Sequence, residues 1–332
     1  MVAQVDRNYV KYGWRAVLRR LVSYAFFEGR PLTTKGRWFN PVVNLVLWVL
    51  SKKEISNYIE NPIFITGLGR SGTTLLGVML SLHRDVGFLN EPKAIWQRVD
   101  KRQDVNSNYS SCGAKYVLRE DDLTDSKRIK AKRLYGWYSY IVRSSRIVDK
   151  YPEMIFRVEY LLNIFPNAKF LFIERNGIDA IKSIEKWSVE KGSLTSEKKE
   201  NWWGVNDAKW NYLRSQLIDS RIEYKTLASL KDEDLKDVDK AAIEWIVTMN
   251  EGLNYFEKYP GLIMRVRYEE LTLNPEVVLN KIMEFCELEM DVNVLKYASE
   301  SVYLNNPRPI PKLNREVEAL FERTMVRLGY SP

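Results

Sequence analysis

Apolar positions along this chain recur at a helical period in some stretches and as short β-prone runs in others, and the switches between them outline its elements. Residues 1–60 read as a partly apolar helical arm. Ile63 to Thr66 is a β-prone run, and Thr74 to Leu82 has apolar residues at helical spacing. Asp85 to Leu89 predicts a second short strand, ending at Asn90-Glu91-Pro92. Residues 100–130 are polar and charged, with Asn106-Ser107-Asn108 as a surface excursion. Ala131 to Ser145 predicts an aromatic-rich helix, and Ile147 to Lys150 a strand end stopped by Tyr151-Pro152. Phe156 to Phe165 reads as an amphipathic helix turned by Pro166-Asn167. Lys169 to Glu174 is nearly all apolar, as in a strand buried on both faces of a parallel sheet. Ile178 to Trp187 follows as a helix, and Ser188 to Lys209 as a polar, tryptophan-bearing loop. Asp237 to Tyr259 predicts a long helix, Leu262 to Val266 a strand, and Asn274 to Cys286 a helix with Pro275 near its start.

The junction between the first strand and its helix carries the chemistry. Gly67 and Gly72 are five residues apart and are followed by Thr73 and Thr74. That is the G-x-x-x-x-G spacing of a phosphate-binding loop, with Thr73 where a nucleotide hydrolase carries lysine. Glycines let the backbone approach an anion, and the following helix presents its positive end to it. Arg70 places a planar fork inside the loop, suited to a pair of phosphate or sulfate oxygens. The loop therefore fits a phosphorylated group other than an ordinary nucleoside triphosphate. Alternating strands and helices around it predict an α/β fold of P-loop type, in three layers, with a central parallel β-sheet flanked by helices on both faces. The chain divides into the arm at 1–60 and a single α/β domain at 61–332, with a variable insertion at about 188–235.

A second element follows the buried strand. Arg175 leaves that strand where open α/β sheets bind ligands, and Ser183 lies eight residues on. A bidentate arginine with a hydroxyl would clamp a terminal phosphate monoester. The alternative is that Arg175 pairs with Asp179 as a salt bridge at the helix start.

Composition narrows the partners without naming one. The 332 residues carry a formal charge of +8, which favours anionic ligands. No basic stripe interleaved with aromatics marks a nucleic-acid module, so nucleic acid is not an expected partner. Cys112 and Cys286 form no disulfide framework and no zinc-ligand spacing, and no metal is expected. They fit a reducing compartment, and Met1 to Tyr12 lacks the apolar core of a signal peptide, so the expected location is cytoplasmic. Pro41 to Leu50 is a ten-residue apolar stretch interrupted by Asn44. A spanning helix needs roughly 20 residues, so this one reads as a buried or docking helix. Contact with a membrane surface is the second reading, supported by the basic stretch Arg15 to Arg20.

Taken together, these motifs resemble those of sulfotransferases that use 3′-phosphoadenosine-5′-phosphosulfate. Gly67-Leu68-Gly69-Arg70-Ser71-Gly72-Thr73-Thr74 resembles the family's 5′-phosphosulfate loop. Arg175 and Ser183 are spaced like its 3′-phosphate element, and Phe165-Pro166-Asn167-Ala168-Lys169-Phe170 like the lead-in to that element. Val266-Arg267-Tyr268-Glu269-Glu270-Leu271 with Asn274-Pro275-Glu276 resembles the next strand and helix entry, and Leu328-Gly329-Tyr330 is a weaker echo. The resemblance runs from about Pro62 to Cys286 and is closer to the carbohydrate and tyrosyl-protein branches than to the histidine-base aryl and steroid members.

The resemblance implies roles residue by residue. Arg70, Ser71, Gly72, Thr73 and Thr74 would hold the 5′ end of the nucleotide, Arg175 and Ser183 its 3′-phosphate, and Tyr268 would contact it. Glu91 resembles the family's general base and Lys150 the lysine of its Lys-x-Pro element; with Arg70 these are the catalytic candidates. As a base, Glu91 would need burial or a shared hydrogen bond to raise its pKa. The single histidine, His83, reads instead as a structural residue at a helix end. Trp202 and Trp203 are the acceptor-side candidates, with anchoring of the loop as the alternative. The implied reaction moves a sulfuryl group to an acceptor hydroxyl of a carbohydrate or glycolipid, leaving adenosine 3′,5′-bisphosphate. The rival readings are a nucleoside or sugar kinase with a degenerate loop, and a non-catalytic anion-binding protein.

Overall fold

The structure is a computed structural model that describes residues 3–29, 36–56, 58–107, 113–194, 199–301 and 311–331. Asn108 and Cys112, singled out above, lie outside the described residues. Five parallel strands form the central sheet: β1 (Ile63–Gly67), β2 (Val86–Asn90), β3 (Arg146–Lys150), β4 (Lys169–Glu174) and β5 (Ile263–Arg267). Their order is β2-β3-β1-β4-β5, with β1 paired to β3 and β4 on its two sides.

Strand alternation divides the interior into two cores, one on each face of the sheet. Phe64, Phe170 and Phe172 point to one side, where the helices Asp125–Val142 and Asp237–Lys258 supply Leu134, Tyr135, Trp245 and Met249. Ile63, Ile65, Leu171 and Ile173 point to the other, against Leu76, Met79, Leu279 and Ile282 from helices Thr73–Ser81 and Pro275–Phe285. The expected three-layer α/β fold is thus present. Helix Asp237–Lys258 presses close enough that a Cβ at Gly252 would enter the Phe172 ring.

Three expectations shift in extent. The helix expected from Ala131 begins at Asp125, because its polar first turns face outward and carry no apolar signal. Phe156 to Phe165 is split into a 3₁₀ segment, Pro152–Arg157, and a short helix, Val158–Ile164. The supposed loop from Ser188 to Lys209 contains the end of helix Gly177–Lys191, a small antiparallel sheet (Ser193–Leu194, Lys199–Asn201, Gly204–Val205) and the start of helix Ala208–Leu213.

The N-terminal helices Arg7–Tyr12, Trp14–Phe26 and Asn40–Lys52 pack on the body of the fold. Arg20 is their deepest anchor. Its Nη1 lies 2.6 Å from Glu28 Oε1, and both side chains are almost fully buried. The same guanidinium donates to the Phe88 carbonyl at 2.8 Å, and the Asn90 N–H donates to Glu28 at 2.8 Å. The pair therefore ties the arm to the carboxyl end of β2. Removing one partner of such a pair leaves the other charge uncompensated, so Arg20→Ala should cost about 3–5 kcal/mol. A urea titration that finds the unfolding midpoint unmoved contradicts this.

Candidate active site

Because the strands are parallel, their carboxyl ends share one edge, and the candidate residues leave from that edge. The loop after β1 turns on three positive φ angles: Gly67 at 133°, Arg70 at 74° and Gly72 at 93°. At Gly67 a Cβ would lie 2.6 Å from the Ile173 carbonyl, and at Gly69 2.6 Å from Trp202. Helix Thr73–Ser81 starts directly from Gly72. Ser71 Oγ is buried without a hydrogen-bond partner, an orphaned group of the kind a bound anion satisfies.

On the β4 and β5 side of the loop stand the phosphate-clamp candidates. Arg175 Nη1 donates to the Arg70 carbonyl at 2.7 Å, and Arg70 Nε donates to Ser183 Oγ at 3.3 Å. The Arg175 guanidinium lies 4.3 Å from the centre of the Tyr268 ring, and that ring also fills the space beside Gly72. The alternative pairing with Asp179 is not made: the Arg175 guanidinium goes to the Arg70 carbonyl and the Tyr268 ring, and Asp179 Oδ1 is buried without a hydrogen-bond partner. Arg175 Nε is likewise buried and unpartnered. Arg70, Arg175, Ser183 and Tyr268 are thus one cluster, although they come from three separate strand ends.

On the β2 and β3 side stands the acid–base pair. Register places Asn90 opposite Lys150, so the next residue, Glu91, donates its N–H to the Lys150 carbonyl at 2.7 Å. The two side chains then meet, with Lys150 Nζ 2.6 Å from Glu91 Oε1. Lys150 is nearly fully buried while Glu91 is 38% exposed. Glu91 also holds a left-handed backbone, φ 50°, a strain that accumulates at functional sites. Glu91 and Lys150 line one cleft with Gly67, Gly69, Arg70, Thr73, Thr74 and Trp202.

The electrostatics correct the expectation for Glu91. Burial by itself would raise its pKa, but the charges of Lys150 and Lys93 and the Lys150 hydrogen bond outweigh burial and hold it at about 2. Glu91 is an ionised partner of Lys150 here, not a raised-pKa carboxyl. His83, by contrast, is structural as expected. Its Nδ1 accepts from the Asp85 N–H at 3.1 Å, which leaves the proton on Nε2 for the Glu289 carbonyl at 2.8 Å. It precedes β2 and so sits at the opposite edge of the sheet from the cleft.

Residues 62–225 match the model of the sulfotransferase family. Over that segment, 164 of the 332 residues, the chain is similar to the sulfotransferase family. A protein-tyrosine sulfotransferase of Drosophila melanogaster is 25% identical over 256 residues, covering 75% of this chain and 42% of that protein. Protein-tyrosine sulfotransferase 1 of Mus musculus is 32% identical over 156 residues, covering 45% of this chain and 41% of that protein. The sulfotransferase domain of the Synechococcus PCC 7002 olefin synthase is 16% identical with a TM-score of 0.47, covering 85% of this chain and 98% of that one. The chain spans between 27% and 52% of the length of the first curated relatives it matches. The matched family segment contains all the site candidates except Tyr268.

The cleft also holds residues that sequence reasoning missed. Lys93 Nζ is 3.7 Å from Glu91 Oε2, and its place two residues beyond Glu91 was a readable signal. Lys209 pairs with Glu244 at 2.5 Å, both buried, and lies 4.3 Å over the Trp202 ring. Trp202 Nε1 donates to the same Glu244 at 2.6 Å. Trp202 therefore faces the cleft, whereas Trp203 is 1% exposed and packs on Trp210, with ring centroids 5.6 Å apart. Trp203 belongs to the core and not to the acceptor side. Among the described residues no group of three His, Cys, Asp or Glu side chains is placed to hold a metal.

The depressed pKa has a consequence for acid stability. Glu91 titrates at about 2 when folded against a reference of 4.5. It therefore stabilises the fold above the reference value, and that contribution is lost as pH falls toward the folded value. The stability difference between wild type and Glu91→Gln should narrow across that window in urea titrations. A difference that stays constant contradicts the pairing.

Proposed function

We propose that the chain is a sulfotransferase that moves a sulfuryl group from 3′-phosphoadenosine-5′-phosphosulfate to the hydroxyl of a carbohydrate or glycolipid. The observation that carries this reading is the Arg175–Arg70–Ser183 chain of contacts, at 2.7 and 3.3 Å, which joins the loop to the second phosphate element. A triphosphate site needs no such second element, whereas a nucleotide with a further phosphate on its ribose does. The orphaned Ser71 Oγ and Arg175 Nε fit the same guest. When bound, the nucleotide supplies an activated sulfuryl group on a phosphate leaving group.

The chain's residues then divide the work. Loop N–H groups with the Thr73 and Thr74 hydroxyls hold the 5′ end, and Arg175, backed by the Tyr268 ring, holds the 3′-phosphate with Ser183. Arg70 and Lys150 place positive charge where negative charge develops. Glu91 takes the acceptor proton on its carboxylate. Paired with Lys150 it is a weak base, but drawing Lys150 toward the developing charge removes the chief opposing cation. Burial then raises the Glu91 pKa as the proton is needed. Trp202 offers an indole face to the acceptor. A tyrosyl peptide is the second acceptor reading, favoured by the names of the animal relatives.

Two variants separate the roles. Arg175→Ala should weaken adenosine 3′,5′-bisphosphate binding by about 1.5–3 kcal/mol, the worth of a charge-assisted hydrogen bond, as read by calorimetry. Glu91→Gln should keep that affinity within a few-fold, roughly 1 kcal/mol or less, and lose turnover with labelled donor on pooled glycans, glycolipids and tyrosyl peptides. Stabilisation by ATP–magnesium with none by the bisphosphate would instead support a kinase.

A further inference from the structure

The outward side of the N-terminal helices is apolar where a solvated surface would be polar. On helix Trp14–Phe26 the exposed positions Trp14, Leu18 and Leu21 follow helical spacing, while Ala16, Arg20 and Ser23 are buried beneath. On helix Asn40–Lys52 the exposed positions are Val42, Leu45 and Trp48, with Val43 and Leu47 beneath. Trp38, 81% exposed, precedes that second helix. The two helices are linked at Phe26 and Phe39, whose rings lie 6.2 Å apart, and Phe39 touches Trp38 at 5.7 Å. Isolated exposed apolar residues need no explanation, but stripes of them on two helices that touch do.

The face is displayed firmly. Arg19 donates to the carbonyls of Arg84 and Arg143, both at 2.6 Å, and Ser23 bonds Tyr138 at 2.7 Å. With the buried Arg20–Glu28 pair, these contacts fix the inner side of helix Trp14–Phe26 and leave the outer side facing solvent.

Charge decides what the face fits. From Arg7 to Lys53 the sequence holds ten Lys or Arg and one acid, Glu28, and that acid is buried against Arg20. Arg7, Lys11, Arg15, Lys52 and Lys53 are exposed around the apolar positions. The nearby acids, Glu300 and Glu54, are taken by Lys11 at 2.9 Å and Arg133 at 3.4 Å. Two copies meeting through this face would oppose rims where the exposed cations Arg7, Lys11, Arg15, Lys52 and Lys53 outnumber the arm's exposed acids, Glu54 and Glu60. Tryptophans and aliphatics ringed by basic residues match the boundary of an anionic bilayer, where indoles sit at the headgroups and nearby cations are attracted to the lipid charge. Helices of 13 residues reach only about 20 Å, short of the roughly 30 Å core, so they would lie along the surface. Among the described residues no helix is long and apolar enough to cross a membrane.

We propose that helices Trp14–Phe26 and Asn40–Lys52 lay this apolar face on an anionic lipid bilayer. The proposal is independent of what the cleft binds. The test is sedimentation of the full chain with vesicles of phosphatidylcholine, with and without phosphatidylglycerol. Wild type should partition at least about tenfold more strongly to the anionic vesicles, and less so at high salt. The combined variant Trp14→Ser, Leu45→Ser and Trp48→Ser should lose at least about tenfold in partitioning with its thermal midpoint unchanged. Should that variant misfold, quenching of wild-type tryptophan fluorescence by brominated lipid in anionic vesicles serves as the second measurement and should occur. Absence of wild-type binding or of quenching overturns the proposal, as does full binding by the folded variant. A wild-type dimer that the variant dissociates, with no vesicle binding, overturns it in favour of a second copy.

Discussion

Parallel pairing of β1 between β3 and β4 is the constraint on which the site depends. Five strands running the same way must end at one edge, and register then decides which residues face one another there. The order β2-β3-β1-β4-β5 puts the glycine loop in the middle. Glu91 and Lys150 leave from its β2–β3 flank, and Arg175, Ser183 and Tyr268 come from its β4–β5 flank. A single ladder bond, from the Glu91 N–H to the Lys150 carbonyl at 2.7 Å, is enough to bring the two side chains together. The proposed chemistry uses the same division, with the nucleotide held on one flank and the proton handled on the other.

Cations crowd this edge, and the fold keeps them by pairing or stacking each one. Lys150 is held by Glu91, Lys209 by Glu244, and Arg175 rests on the Tyr268 ring. Buried charges without such partners would be costly. The pairings also set the reactivity, because the lysine that makes Glu91 a poor base at rest is the group proposed to move toward developing charge. Glu244 serves twice, holding Lys209 and the Trp202 indole together, so Trp202 is anchored from the long helix Asp237–Lys258. This joins the two readings of Trp202, which both lines the cleft and is fixed to the body.

Much of this edge was legible in the chain because it is local. Strand β4 carries the apolar run Phe170 to Ile173, and Gly67 answers to a φ angle and a close approach to the Ile173 carbonyl that a side chain would strain. His83, read as structural from its place at a helix end, bonds the Asp85 N–H and the Glu289 carbonyl away from the strand ends that carry the site. What escaped is what tertiary packing decides. Lys209 and Glu244 are 35 residues apart in sequence, and nothing local marks them as partners. Trp203 and Trp202 are neighbours with opposite fates, one packed on Trp210 and the other facing the cleft. The strands Ser193–Leu194 and Gly204–Val205 are two residues each, too short to show any period. The low pKa of Glu91 follows from Lys93 and Lys150 converging on one carboxylate, which requires the register and not only the residues.

On the proposed function, the edge of this sheet takes a nucleotide with phosphate at both ends of its ribose. Calorimetric titration with adenosine 3′,5′-bisphosphate and with adenosine 5′-monophosphate tests it most directly, since the two differ only in the group assigned to Arg175 and Ser183. The bisphosphate should bind tighter by about 1.5–3 kcal/mol, roughly tenfold to more than a hundredfold. Equal affinity for the two nucleotides would contradict it.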